Sequence, residues 1–286
     1  MIQVPARYSY IEAYLTLRCN LACPYCINSF TGCKRKRQEL TDREWVLGLN
    51  NIDTGGKPIT LGGGEPTIHS GFYNIVSQLR DDIKIDLLTN GQFDIDEFMD
   101  NIPPDRLYRG AREAFYYKAI RISYHVHSMK KDDTINTAKT LQDEGYNVGI
   151  FGINHPNNLF HNTEMTQRCA DAGVYFFIRD FLGFHDDRLF GHYKYYAALN
   201  GNRKSCLCRP EDFLIGPEGN IYRCHRDLYG AESEVGNILN IAYEHKDDFS
   251  QCDNYGLCNP CDVKCKAKPD LVTTKCAVEI KEVANV

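Results

Sequence analysis

The sequence predicts an α/β fold, six strands alternating with helices in a parallel sheet curled into a partial (β/α)6 TIM-like barrel, followed by a small cysteine-rich C-terminal domain. Short apolar runs recur between helix-like stretches closed by glycine, and polar clusters fall at the ends of those runs. Eight of the thirteen cysteines crowd into residues 206–276. These observations divide the 286 residues into a barrel over 1–200 and an auxiliary domain over 201–286. With 43% hydrophobic and 25% charged residues, a largely disordered chain is excluded. No apolar run is long enough to span a bilayer and the first residues lack a signal-peptide core, so a cytoplasmic protein is expected. In that reducing compartment the cysteines read as metal or cluster ligands rather than disulfides. A net charge of −5 gives no general attraction to nucleic acid or to anionic membrane.

Taken in order, Tyr10 to Leu17 alternates with period two, as a strand does, and runs into a cysteine loop. The basic run Lys34 to Arg37 reads as solvated charge. Thr41 and Glu44 form a capping box that opens a helix through about Asn50. A strand over Pro58 to Leu61 enters a glycine turn, a helix covers Gly71 to Arg80, and a strand over Ile83 to Leu88 ends in Thr89-Asn90-Gly91. Phe93 to Asn101 is helical, and Pro103 to Lys118 is an irregular insertion, a lid or padding. Ile120 to His127 predicts a strand with Ile120, Ile122, Tyr124 and Val126 on one face and Arg121, Ser123, His125 and His127 on the other. The helix over Asp132 to Glu144 closes at Gly145, and the fifth strand runs from Tyr146 to Asn154. A helix over Thr163 to Ala172 closes at Gly173, and Val174 to Arg179 is the sixth strand, ending in Asp180.

Cys19, Cys23 and Cys26 stand in a C-x3-C-x2-C spacing with Tyr25 directly before the last thiol. Three thiolates so spaced can hold three corners of a 4Fe-4S cluster and leave the fourth iron open, although a zinc knuckle uses similar spacing. Gly63-Gly64-Glu65-Pro66 follows the second strand, where glycines let the backbone approach a ligand closely. Together these motifs resemble the radical S-adenosylmethionine (radical SAM) enzymes. The resemblance implies that SAM chelates the open iron. It further implies that Tyr25, Gly63, Gly64, Glu65, Pro66, Asn90 and Ser123 contact SAM, and that cleavage of SAM yields a 5′-deoxyadenosyl radical that takes hydrogen from an unactivated carbon.

The tail has few long apolar periods and needs staples. Gly219 to Cys224 and Gly236-Asn237-Ile238 resemble the SPASM or twitch extension of that family, whereas the later run reads C-x5-C-x2-C-x3-C and departs from its pattern. One expected partition places Cys206, Cys208, Cys224 and Cys265 on a nearer auxiliary cluster and Cys252, Cys258, Cys261 and Cys276 on a farther one. A single cluster, or one zinc site around Cys258 and Cys261, is the alternative. Cys33 and Cys169 read as ordinary thiols.

The resemblance favours an overall oxidation of a small polar metabolite, with auxiliary clusters taking the electron and a flavodoxin- or ferredoxin-type donor supplying the first one. His125, His127, Arg179 and Asp180 are the candidate catalytic residues, with Asn154 and His155 nearby, and Arg179 suits a carboxylate or phosphate. Only eighteen residues precede Cys19, so an N-terminal leader-binding domain is not expected and a small molecule is favoured over a peptide. Peptide modification remains the alternative enzyme reading, and a zinc-binding interaction module the alternative of another class.

Overall fold

The computed structural model describes residues 1–27, 33, 36–110, 117–265, 267–268, 271–272 and 275–282. Lys34 and Arg35 of the basic run and residues 111–116 of the insertion lie outside the described residues. The first part of the chain runs β1 (Ile2–Gln3), β2 (Tyr10–Thr16), α1 (Asp42–Asn50), β3 (Ile52–Asp53), β4 (Ile59–Gly63), α2 (Phe72–Ser77), β5 (Ile85–Thr89) and α3 (Ile95–Asn101). It continues through β6 (Ile120–Ser123), α4 (Lys131–Asp143), β7 (Val148–Asn154), α5 (Leu159–Asp171) and β8 (Phe176–Asp180). Strands β2, β4, β5, β6, β7 and β8 pair in that order, all parallel, as the six-strand partial barrel requires.

Alternation along each strand decides what faces the helices. Ile11, Ala13 and Leu15, Ile59 and Leu61, Ile85 and Leu87, Ile120 and Ile122, and Val148 and Ile150 belong to one buried core. Trp45 and Leu49 of α1, Ile75 of α2, Phe98 of α3, Leu141 of α4 and Met165 of α5 complete it from the helices. The opposite strand faces form the lumen and carry Tyr10, Thr60, Asp86, Arg121, Ser123, Phe151, Phe177 and Arg179. The capping box forms as the sequence predicts, Thr41 Oγ1 accepting from the Glu44 amide at 3.3 Å while Glu44 Oε2 accepts from the Thr41 amide at 2.8 Å.

The tail adds β9 (Gly183–His185), β10 (Arg188–Phe190), β11 (Lys204–Pro210), β12 (Asp212–Ile215), β13 (Asn220–Tyr222), α6 (His225–Gly230) and β14 (Gly236–Asn237). It closes with β15 (Ser250–Tyr255), α7 (Pro260–Val263), β16 (Ala267–Lys268), β17 (Leu271–Val272) and β18 (Val278–Glu282). The expected boundary at 200/201 does not separate two sheets. Strand β12 pairs parallel with β2, and β13 and β14 extend it, giving one nine-stranded sheet in the order β14-β13-β12-β2-β4-β5-β6-β7-β8. The cause is hydrophobic: Phe213, Leu214 and Ile215 are all at 0% exposure, buried against the open edge that β2 would otherwise present. A distinct antiparallel sheet, β15-β11-β18, carries the cysteine-rich remainder.

One correction concerns the strand expected over Ile120 to His127. It ends at Ser123, because the Ser128 and Met129 amides both donate to the His125 carbonyl, at 3.0 and 3.1 Å, and turn the chain into α4. His125 and His127 therefore sit in a turn at the barrel mouth.

Candidate active site

The cysteine loop is built where β2 runs out. The Gly64 amide donates to the Thr16 carbonyl and the Glu65 amide to the Arg18 carbonyl, both at 2.8 Å. A Cβ on Gly63 would lie 2.0 Å from the Thr16 oxygen, and one on Gly64 would lie 2.0 Å from the Arg18 oxygen. Gly63 also holds φ at +141°, which L side chains rarely adopt. These glycines press the turn after β4 against the backbone entering the cysteine loop. Arg18 and Glu39 brace the outer side with a paired contact at 2.9 and 2.8 Å.

Glu65 occupies the centre of this arrangement. Its Oε2 accepts from the Asn90 amide at 2.7 Å, and its Oε1 accepts from the Thr89 and Thr67 hydroxyls at 2.7 Å and the Thr67 amide at 3.3 Å. Burial pushes the Glu65 carboxyl up, opposed by these donors. With both oxygens met, Glu65 ties the end of β5 to the glycine turn, a role the motif alone did not reveal. Asn90 extends the tie, its side-chain amide donating to Asn20 Oδ1 at 2.7 Å, next to Cys19. Pro66 starts the single-turn helix 66–68 that Glu65 caps, and Ser123 ends β6 on the lumen face beside Phe151.

Cys19, Cys23 and Cys26 are half-buried thiols on this one loop. The Leu21 amide points at Cys19 Sγ from 3.4 Å, and the Cys26 amide donates to the Cys23 carbonyl at 3.2 Å. Among the described residues no three His, Cys, Asp or Glu side chains close on a common point. The three thiols, the amide aimed at sulfur and the glycine cradle nevertheless make a donor set that fits a 4Fe-4S cluster with SAM beside it.

At the mouth Tyr25 gathers three histidines. It stacks on His155 at 5.4 Å and His125 at 6.0 Å between ring centroids, and tilts toward His127 at 6.5 Å. Burial pushes the His125 imidazole down to about 4, so it is neutral near pH 7, and its Nδ1 is buried with no hydrogen-bond partner among the described residues. His155 is lowered by burial and by its neighbours His185 and His127. His185, 4.5 Å from His155, was not singled out by the sequence. It arrives on a hairpin whose two turn residues, Asp186 and Asp187, both have positive φ, and an Asp-Asp pair with Phe184 and Leu189 two residues out on either side was its signal. Asp180 is not part of this group, since it lies on the face of β8 opposite Arg179 and pairs with His192 at 2.9 Å.

The tail cysteines group differently from the expected partition. Antiparallel pairing of β11 and β15 sets Cys206 opposite Cys252, and Cys208 lies two residues along on the same face. The Cys206 thiol is held up and the Cys252 thiol pulled down by the hydrogen bond between them. Burial pushes Cys208 up to about 12, with Cys252 adding to the rise, and Cys258 is raised by burial with Cys208 and Cys252 adding to it. Cys224 is also near Cys208, its sulfur accepting from the Asp227 amide at 3.5 Å. The Cys265 amide donates to the His192 carbonyl at 2.7 Å, while Cys276 donates to the Val263 carbonyl at 3.4 Å and Cys261 lies within reach of Lys264 Nζ at 3.9 Å.

Helix α6 joins the two cysteine regions. The Tyr229 and Tyr14 hydroxyls are 3.5 Å apart, and the Tyr229 hydroxyl is raised by burial, with both Cys261 and Cys26 contributing. His225 Nδ1 meets Asp262 of α7 at 2.7 Å, and its Nε2 is 3.9 Å from Glu12 of β2.

The structure thus presents a six-strand parallel barrel with a three-cysteine loop at its mouth, seated on a glycine turn. Residues 14–111 match the model of the radical SAM superfamily, about a third of the chain. Proteins of this superfamily use a 4Fe-4S cluster and SAM. Among curated relatives, the S-adenosylmethionine-dependent nucleotide dehydratase of Selenomonas ruminantium is 33% identical over 84 residues, covering 28% of this chain and 29% of that protein. Molybdenum cofactor biosynthesis protein 1 of Drosophila melanogaster is 35% identical over 75 residues, 26% of this chain and 13% of that protein. The chain thus spans under a third of the length of these curated relatives. Among solved structures, Streptococcus suis SuiB bound to precursor peptide SuiA superposes with a TM-score of 0.54 at 14% identity, covering 81% of this chain and 62% of that one. The anSMEcpe enzyme with bound AdoMet and Kp18Cys peptide gives 0.54 at 14% identity, covering 81% and 77%. These likenesses concern the fold. Among the described residues no helix is long and apolar enough to cross a membrane.

Proposed function

We propose that this chain is a radical SAM enzyme that removes a hydrogen atom from a small polar metabolite and oxidises it, with the cysteine-rich tail taking up the electron. The observation that carries the reading is the locking of the Cys19-Cys23-Cys26 loop onto Gly63 and Gly64 by the 2.8 Å amide contacts at Gly64 and Glu65. Cys19, Cys23 and Cys26 would hold the 4Fe-4S cluster, and Tyr25, Gly63, Gly64, Pro66, Asn90 and Ser123 would hold SAM. When bound, this pair supplies reductive cleavage of a carbon–sulfur bond and thereby hydrogen abstraction from an unactivated carbon. The protein orients and shields. Glu65 fixes the turn through its donors, the aromatic rings of Tyr25 and His155 restrict water at the mouth, and neutral His125 offers its buried Nδ1 as an acceptor for a substrate hydroxyl.

Four of the thiols Cys206, Cys208, Cys224, Cys252 and Cys258 would hold an auxiliary cluster of the SPASM or twitch kind. The first electron would come from a flavodoxin- or ferredoxin-type donor. A second reading, action on a peptide, is favoured by a surface cleft of about 350 Å³ lined by Phe184, Leu199, Leu257 and Cys258, and by the peptides bound in the SuiB and anSMEcpe structures.

The test separates the two readings. Anaerobically reconstituted protein with SAM and a reductant is given metabolite or peptide fractions from cells grown in heavy water, and deuterium in 5′-deoxyadenosine is measured. Label with the metabolite fraction alone supports the first reading. Label with the peptide fraction alone replaces it by the second.

A further inference from the structure

The lumen beyond β7 holds one cation with no hydrogen bond or ion pair among the described residues. Arg179 follows Phe177 by two residues on β8, so both share the lumen face, and Phe177 stands directly opposite Phe151 of β7. The Arg179 guanidinium carbon lies 5.1 Å from the centroid of the Phe151 ring and 5.2 Å from that of Phe177. Both rings lie one pleat toward the strands' N-terminal ends, so the exposed Arg179 side chain leans back over them. Two ring faces orient a guanidinium without neutralising it.

Lower in the lumen the charges are already matched. Arg121 pairs with Asp86 and donates to the Tyr10 hydroxyl at 3.2 Å, and the Tyr117 hydroxyl donates to the same Asp86. Burial works against the Arg121 charge, but Tyr10, Asp86 and Tyr117 hold it protonated. Arg179 is instead lowered by burial and by repulsion from Arg121. A third cation, Lys118, lies 4.9 Å from the centroid of the Tyr175 ring on the same side of the lumen. Gly149 leaves space between them, since a Cβ there would strike Lys118 and Tyr175 at 2.7 Å.

Resting on the reading that the lumen is a substrate site, we infer that the substrate carries an anionic group, a carboxylate or a phosphate, which Arg179 docks while Phe177 packs against the adjoining carbon skeleton. Phe177 is 41% exposed on the lumen face, which leaves it open to such contact. The carboxylate of SAM itself has the same chemistry, but the residues expected to hold SAM lie on β4, β5, β6 and the loop after β2. Arg179 lies on β8, two strands past β6 in the sheet order.

The experiment uses full-length, anaerobically reconstituted protein and simple probes. Phenylglyoxal modifies accessible guanidinium groups, and its addition to Arg179 is read by peptide mass spectrometry with inorganic phosphate, malonate or neutral glycerol present at constant ionic strength. Phosphate or malonate, but not glycerol, is expected to protect Arg179 saturably. In calorimetry Arg179→Gln is expected to weaken the effective anion by about tenfold or more, with Arg179→Lys recovering part of the loss. Protection by malonate alone assigns a carboxylate, and by phosphate alone a phosphate ester. The inference is overturned if neither anion protects, if Arg179→Gln binds them as the parent does, or if Arg179→Gln loses affinity for SAM instead. Cleavage of SAM by the same preparation is scored separately, so its failure would sink the enzyme reading without touching the anion result.

Discussion

At the scale of single residues, Gly64 is pressed against two backbone oxygens, a Cβ there meeting that of Arg18 at 2.0 Å and that of Leu17 at 2.7 Å. Gly64→Ala must push the turn off the cysteine loop, at a cost of about 2–4 kcal/mol, read by urea unfolding, with iron content falling in parallel. The motif was legible in the sequence, but the partners of its glutamate were not, because Thr67, Thr89 and Asn90 become donors to Glu65 only when β4 and β5 lie side by side. Protonation gives a second residue-scale prediction. Burial brings both His125 and His245 down to about 4 from an ordinary value of 6.5. Both rings bind protons more weakly folded than unfolded, so stability falls as pH drops from about 6.5 to 4, by on the order of 1–3 kcal/mol for each. His125→Asn should flatten part of that acid limb in thermal melts recorded across this range, and an unchanged limb would show that His125 is not buried neutral.

At the scale of elements, the six strands and α1 could be read from alternation and capping because both signals are local. Helix α6 could not, since it is short and ends on Ala231, a non-glycine residue at φ 51° and ψ 54° where glycine is the usual signal. Ala231→Gly should therefore stabilise the protein by about 1 kcal/mol in chemical denaturation, as the left-handed conformation then carries no Cβ penalty. Loss of stability would mean that the Ala231 methyl packs usefully. The β6 boundary was missed for a related reason. Alternation continues through His127 in the sequence, yet the turn bonds onto the His125 carbonyl end the strand. The cysteine partition depended on which strands pair, and the opposition of Cys206 and Cys252 is a long-range contact that spacing does not encode.

Across the whole molecule, the tail completes the barrel's sheet. A chain cut after residue 200 would bare the edge of β2 and lose Phe213, Leu214 and Ile215, all at 0% exposure. Such a fragment should aggregate or lack a cooperative melt, whereas a soluble, cooperatively folding fragment would restore the boundary that composition alone suggested. The same continuity places α6 between the cysteine loop and the tail thiols, which is why the two regions are expected to work as one unit. The most direct test of that unit's first half is iron, sulfide and 5′-deoxyadenosine measured on anaerobically reconstituted parent and Cys23→Ala proteins supplied with SAM and dithionite. The parent should cleave SAM, and the variant should lose about four irons and four sulfides per chain together with all cleavage. A variant that keeps its full iron content and cleaves SAM as the parent does would contradict the assignment of Cys19, Cys23 and Cys26 as the cluster ligands.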